Sequence, residues 1–181
     1  MEENILEVYR AATESERAEG LDWYSAARTF ATGLADRYGI TLDAAAGIVA
    51  ALSPRRPWAD NMAAADTLCR TGDVGGLSLF VNRAKAIRDG AAPLDVLRGP
   101  KVRAFYAAIM GDGDAVCIDR HAFDVAYGAA TDDKTRKQLD RVGEYARFAD
   151  AYRAAAETAG TTAAAMQATT WVVWRNRKAA A

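Results

Sequence analysis

The residues best suited to chemistry lie between Leu97 and Gly128, in the stretch LRGPKVRAFYAAIMGDGDAVCIDRHAFDVAYG. A Gly99-Pro100 turn sets Lys101 at the start of a helix, where the positive end of the macrodipole favours a neutral, nucleophilic amine. A second turn brings Asp119 to the start of the next helix, where the same field stabilises a carboxylate. An amine and a permanent carboxylate suit attack on an electron-deficient carbon, or stabilisation of a developing cation. Each residue also has an ordinary reading, Asp119 as a helix N-cap and Lys101 as a solvated surface lysine.

Other side chains form a looser second tier. Arg55 and Arg56 follow a Ser53-Pro54 helix stop, and Arg98, Lys101 and Arg103 surround the Gly-Pro turn. They read either as a local phosphate-binding face or as a solvated charged rim. Trp58 is a stacking platform or, at helical spacing, a core residue. Trp23, Tyr24, Gln167 and Trp171 are candidates to line a pocket, with Trp171 read as core and Gln167 left open. His121, two residues after Asp119, reads as a buttress of the turn, and Cys117 as a small buried hydrophobe.

These residues must be positioned by helices. Ile5, Val8, Tyr9 and Ala12 share one face, and Trp23, Ala26, Ala27, Phe30 and Leu34 repeat the pattern up to Gly39. Thr41 is an N-cap for a buried helix that Ser53-Pro54 ends at Leu52. Helices follow at Trp58–Leu68, Leu79–Arg88, Leu94–Leu97, Val102–Met110 and His121–Tyr127. Thr131–Arg141 is a polar surface segment, Tyr145, Phe148 and Tyr152 mark a long helix, and the last runs from about Thr162. No run alternates as a strand does, so the fold class is all-α. We expect one domain of two lobes over residues 1–181. Residues 40–130 would form a central bundle with the turn and Asp119, and 1–39 with 131–181 the second lobe.

Composition removes whole classes of function. The chain has 181 residues, 23 Lys and Arg against 24 Asp and Glu, one His and two Cys. Two cysteines cannot hold a four-thiolate iron-sulfur cluster, and one histidine excludes an HExxH metalloprotease. A net charge of -1 denies a basic nucleic-acid coat but not a basic patch. MEENILEVYR has no apolar h-region, and the longest apolar stretch, Ala44–Leu52, is far short of a membrane span. A cytoplasmic protein of a bacterium or a phage-infected host is expected.

Four pieces then occur in a meaningful order: Ala50-Ala51-Leu52-Ser53-Pro54 with Trp58 and Asn61; Asn82-Arg83-Ala84-Lys85-Ala86-Ile87; Leu97, Gly99 and Lys101; and Ile118-Asp119-Arg120-His121. Over residues 45–128 this order resembles the helix-hairpin-helix DNA glycosylase superfamily, the endonuclease III-like proteins. The 18 positions from Lys101 to Asp119 match members that use both residues. Here the hairpin is two residues shorter, Pro100 has no N–H to offer a DNA phosphate, and no terminal cysteine cluster follows.

The resemblance implies a compact multi-helix glycosylase-like fold with a shortened hairpin and no iron-sulfur cluster. It implies a DNA N-glycosylase that flips out a modified or damaged base and cleaves its glycosidic bond through Asp119, with Lys101 as a Schiff-base nucleophile. Substrate or DNA contacts would come from Ser53, Arg55, Arg56, Trp58, Asn61, Arg98, Gly99, Arg103, Arg120, His121 and Gln167. DNA is the implied partner, with no membrane, metal or organic cofactor. Two alternatives stay open: a phage base-hypermodification transferase joining an amine or amino acid to an activated modified thymine, and a non-catalytic DNA- or partner-binding module.

Overall fold

The computed structural model describes residues 1–180; Ala181, the last residue of the expected terminal lobe, lies outside the described residues. Among these the chain forms eleven α-helices and one short 3-10 turn, with no strand, so the fold is all-α. The helices are α1 (Glu2–Arg10), α2 (Glu14–Tyr38), α3 (Leu42–Leu52), α4 (Trp58–Thr71), α5 (Ser78–Arg88), α6 (Pro93–Val96), α7 (Pro100–Met110), α8 (Arg120–Tyr127), α9 (Asp133–Arg136), α10 (Glu144–Ala159) and α11 (Ala163–Ala180). The 3-10 turn is Lys137–Asp140. No helix among the described residues is long and apolar enough to cross a membrane.

The chain divides into two compact units, Met1–Tyr24 with Asp112–Ala181, and Ser25–Gly111. The sequence expectation drew its lobes at 39/40 and 130/131 instead. Residues 112–130 fall with the termini because Val116, Ile118, Phe123 and Val125 belong to one apolar cluster with Ile5, Phe148, Tyr152 and Met166. The helix pattern seen from Trp23 onward in fact begins at Glu14. Thr13 caps it in a reciprocal box: the Glu16 amide donates to Thr13 Oγ1 at 3.2 Å, and the Thr13 amide donates to Glu16 Oε2 at 3.0 Å.

In the unit of residues 25–111, α3 is the centre. Its sequence LDAAAGIVAAL is apolar on every side, and Ala45 to Leu52 are all buried. Thr41 caps it, accepting the Ala44 amide at 3.0 Å. Gly47 allows Pro93 and Ile87 to close on this helix, since a Cβ there would lie 2.7 Å from Pro93 Cγ and 3.3 Å from Ile87 Cγ2. Pro93 opens α6, so this contact fixes the start of the α6–α7 turn that presents Lys101.

The same unit carries a titrating contact. The Tyr106 hydroxyl on α7 donates a short hydrogen bond to Asp43 on α3. Burial, then the bond to that carboxylate, pushes the phenol up to about 12. A tyrosine in the unfolded chain ionises near ~10. Below that pH both states keep the proton and the full stability is present. Above it the unfolded chain releases the proton first, so stability falls as pH rises toward the folded value. We expect the urea midpoint to decline from about pH 10 upward, and to decline less steeply in Tyr106→Phe.

In the other unit, Phe123 stacks on Phe148 with ring centroids 4.6 Å apart, and α1, α8, α10 and α11 pack around that pair. Gly20 on α2 meets Thr169 on α11 so closely that a Cβ would lie 2.4 Å from the Thr169 Cα. This backbone contact fixes the height of α11, and with it the side chains that α11 presents to Asp119.

Candidate functional site

The site is assembled around the segment Val116-Cys117-Ile118-Asp119, non-helical throughout, with its first three residues buried and Asp119 half-buried. Three apolar residues in a row anchor it. Tyr145 of α10 then clamps it, its hydroxyl accepting the Ile118 amide at 3.0 Å and donating to the Val116 carbonyl at 2.8 Å. Tyr152, about two turns further along the same face of α10, donates to the Ala122 carbonyl at 2.9 Å.

At the end of this clamped segment the backbone of Asp119 is extended, and its side chain caps α8. Oδ1 accepts the amides of His121 at 2.9 Å and Ala122 at 2.8 Å. Oδ2 accepts the indole N–H of Trp171 at 3.0 Å. The carboxylate is thus held by three donors, two of them at the positive end of a helix.

Aromatic surface surrounds it. Trp23 packs against Trp171 with centroids 4.8 Å apart, and His121 meets the Trp171 ring edge-on at 6.1 Å. The Arg175 guanidinium lies 4.7 Å over the Trp171 ring and also pairs with Glu19 at 2.8 Å. Gln167, Trp171 and Arg175 recur every four residues along α11, so one stripe of that helix faces this place. Gln167 is 4% exposed, and its Oε1 accepts the Tyr24 hydroxyl at 2.6 Å. Burial first, and then the neighbouring Cys117 and Asp119, push the Tyr24 phenol well above its ordinary range, so it remains a donor.

Of the residues picked out in the sequence, Arg120, His121 and Gln167 share this unit with Asp119. Arg120 is exposed, and its Nε donates to His121 Nε2 at 3.3 Å. Lys101 belongs to the other unit, as the second residue of α7 and partly buried. Trp171, read as core from the sequence, is instead the indole that holds the candidate catalytic carboxylate. Its four-residue spacing from Gln167 puts the two on one stripe of α11, but nothing in the sequence pairs that stripe with Asp119.

The remaining candidates, Ser53, Arg55, Arg56, Trp58, Asn61, Arg98, Gly99 and Arg103, lie in the unit of residues 25–111, and several are occupied by local structure. The Ser53 hydroxyl donates to the Ala50 carbonyl at 2.9 Å, and Arg56 donates to the Gly75 carbonyl at 2.8 Å. Asn61 is 1% exposed and donates to the Val49 carbonyl at 3.1 Å, tying α4 to α3. Trp58 meets Phe30 and Phe105 edge-on at 6.1 and 6.3 Å. Arg103 donates to the Leu97 and Leu94 carbonyls at 3.1 and 2.8 Å, closing the α6–α7 turn, and Arg98 reaches the Leu97 carbonyl at 3.3 Å. Arg55 is exposed with a left-handed φ of 61° in the Ser53–Trp58 connection, and Gly99 takes a φ of 82° before α7.

Among the described residues, no group of three or more His, Cys, Asp and Glu side chains is placed to hold a metal ion. The model of a family of unknown function, DUF7178, matches residues 1–178. The chain belongs to that family. No curated protein and no solved structure matches this DUF7178 chain. The family match runs through both units of the DUF7178 chain, so the Asp119 cluster and the α6–α7 turn are parts of one family unit of sequence.

Proposed function

We propose that this chain is a DNA N-glycosylase-like enzyme, which takes a modified or damaged base out of the stack and cleaves its glycosidic bond at Asp119. The observation that carries the reading is the carboxylate itself, fixed by two α8 amides and the Trp171 indole amid aromatic rings. Glycosidic cleavage passes through an oxocarbenium-like sugar, and an oriented carboxylate stabilises that charge or aligns the attacking water. Flat aromatic surface beside it suits a base removed from the duplex.

Charge distribution supports a nucleic-acid partner. Residues 25–111 hold 11 Lys and Arg against 7 Asp and no Glu, a net charge of +4. The rest of the chain holds 12 against 17, a net charge of -5, and the total of -1 conceals the contrast. The positive unit carries Arg55, Arg98 and Lys101, and its charge is the kind that attracts phosphates in a salt-dependent way. A DNA substrate fits a cytoplasmic location.

The test is incubation of the pure protein with duplex and single-stranded oligonucleotides carrying a panel of base lesions and modified bases, followed by mass spectrometry. Free base released with an abasic product is the expected result. A heavier nucleoside with its glycosidic bond intact would replace excision by base modification, and unaltered DNA throughout would overturn both. Borohydride trapping assigns Lys101: a covalent adduct makes it a Schiff-base nucleophile, and its absence leaves excision to Asp119 and water.

A further inference from the structure

Two pairs of side chains, each pair one helical turn apart, interlock where α2 meets α11. Glu19 and Trp23 stand four residues apart on α2, and Trp171 and Arg175 four residues apart on α11, so each pair shares one face of its helix. Trp23 packs on Trp171, and Glu19 pairs with Arg175 at 2.8 Å. The Arg175 guanidinium does two things at once: it holds Glu19, and it lies 4.7 Å over the Trp171 ring. The same ring donates its N–H to Asp119 Oδ2 at 3.0 Å. Chemistry fixes the direction of every polar contact in this line, because a guanidinium and an indole N–H only donate and a carboxylate only accepts.

We infer that Arg175, held by Glu19, is a positioning residue for Asp119 and acts through the Trp171 indole. A cation over the face of an indole draws electron density from the ring, so the N–H becomes a stronger donor to the oxygen it already binds. Asp119 Oδ1 is fixed by the two α8 amides, and the indole sets the second oxygen and with it the plane of the carboxylate. A developing oxocarbenium charge is stabilised by groups oriented before it forms. The consequence for rate rests on the excision reading of Asp119; the link from Arg175 to the indole does not. The effect is modest in size, because the Arg175 and Glu19 side chains are 39% and 42% exposed and water screens them. Asn176 also ties α11 to α2, donating to Glu16 at 3.1 Å, which allows helix tethering to be separated from action on the ring.

The experiment uses the full chain and reads the Trp171 indole N–H signal in nitrogen–proton NMR spectra together with the single-turnover excision rate. Four tryptophans give four such signals, and the one missing from Trp171→Phe is that of Trp171. Arg175→Met keeps the apolar stem and removes the charge. Its Trp171 signal should move upfield, as a weakened hydrogen bond requires. Excision should slow about two- to five-fold, the size of a half-exposed cation–π contact, with the half-saturating DNA concentration unchanged. Arg175→Lys, which keeps a cation there, should return both readings at least half way. Asn176→Ala, which removes the other tie between α2 and α11, should leave both where they are. In Asp119→Asn the indole has already lost its acceptor, so adding Arg175→Met should move the signal less than half as far. Thermal melts identify the folded variants; if Arg175→Met does not fold, Glu19→Gln, which loosens the guanidinium, carries the test with the same upfield shift. A signal unmoved in Arg175→Met, moved equally by Asn176→Ala, or moved as far in the Asp119→Asn background overturns the inference. So does a lysine variant that matches the methionine one, or a moved signal with an unchanged rate. A wild type that excises nothing overturns the excision reading and the rate consequence, while the indole signal still decides the link from Arg175 to Asp119.

Discussion

Asparagine in place of Asp119 should reduce excision by about a hundred- to a thousand-fold, the loss typical when a charge-stabilising group is removed from the reacting centre. The fold should survive the change. The asparagine carbonyl can still accept the His121 and Ala122 amides, so α8 keeps its cap. What changes is the other end of the group. The Asp119 oxygen that accepts the Trp171 indole N–H at 3.0 Å becomes an N–H₂, and two donors then face each other. That mismatch costs about 1–3 kcal/mol of stability. Asp119→Ala removes the cap as well, for about 1 kcal/mol more. The two variants should therefore be equally inactive and unequally stable, read by single-turnover excision and by urea unfolding. An asparagine variant as active as the wild type would remove Asp119 from the chemistry.

The largest loss of stability should come from a residue far less conspicuous in the sequence, Arg136. Its guanidinium reaches Asp124, whose side chain is 0% exposed, with Nε at 3.2 Å and Nη2 at 3.1 Å, and it also donates to the Thr131 carbonyl. Asp124 accepts the Thr131 amide at 3.1 Å as well, so one buried carboxylate organises the whole turn after α8. Replacing Arg136 by methionine keeps much of the volume and leaves that carboxylate buried without its counter-ion. The cost should be about 3–5 kcal/mol. Adding Asp124→Asn to the same protein should recover a good part of it, because the stranded charge is gone. The exposed pair Arg10–Glu3, with both side chains more than half exposed, is the control, and Arg10→Ala should cost less than about 1 kcal/mol. Urea midpoints of the four proteins decide the matter; a loss at Arg136 no larger than the control's would mean the pair is not acting as a buried ion pair.

The contrast between these two residues explains what could be read in the sequence. Asp119 stands directly before an amphipathic helix after three apolar residues, and both its cap and its helix follow from local pattern. Thr41 and the wholly apolar α3 are legible for the same reason. Arg136 lies in TDDKTRKQLDR, a segment whose composition says surface, and only the tertiary approach of Asp124 turns one of its cations inward. Asn61 and Arg103 make the opposite point. Their residue types suit DNA contacts, yet backbone carbonyls at Val49, Leu94 and Leu97 occupy their donors. Trp171 was legible as an aromatic on α11 but not as Asp119's partner, because 52 residues separate them and no local rule spans that distance.

Asp119 caps α8 and holds the position of the candidate reacting group with the same side chain. A descendant that lost the chemistry would still need an oxygen there to begin its helix. Aspartate at this position is therefore a poor label for activity when relatives are sorted, since folding alone retains it. Trp171 is a better label, since its indole holds the Asp119 oxygen that the helix cap does not use. A relative with the aspartate but with an aliphatic residue at position 171 should still form α8 and excise nothing, at some cost in stability because the second carboxylate oxygen loses its donor.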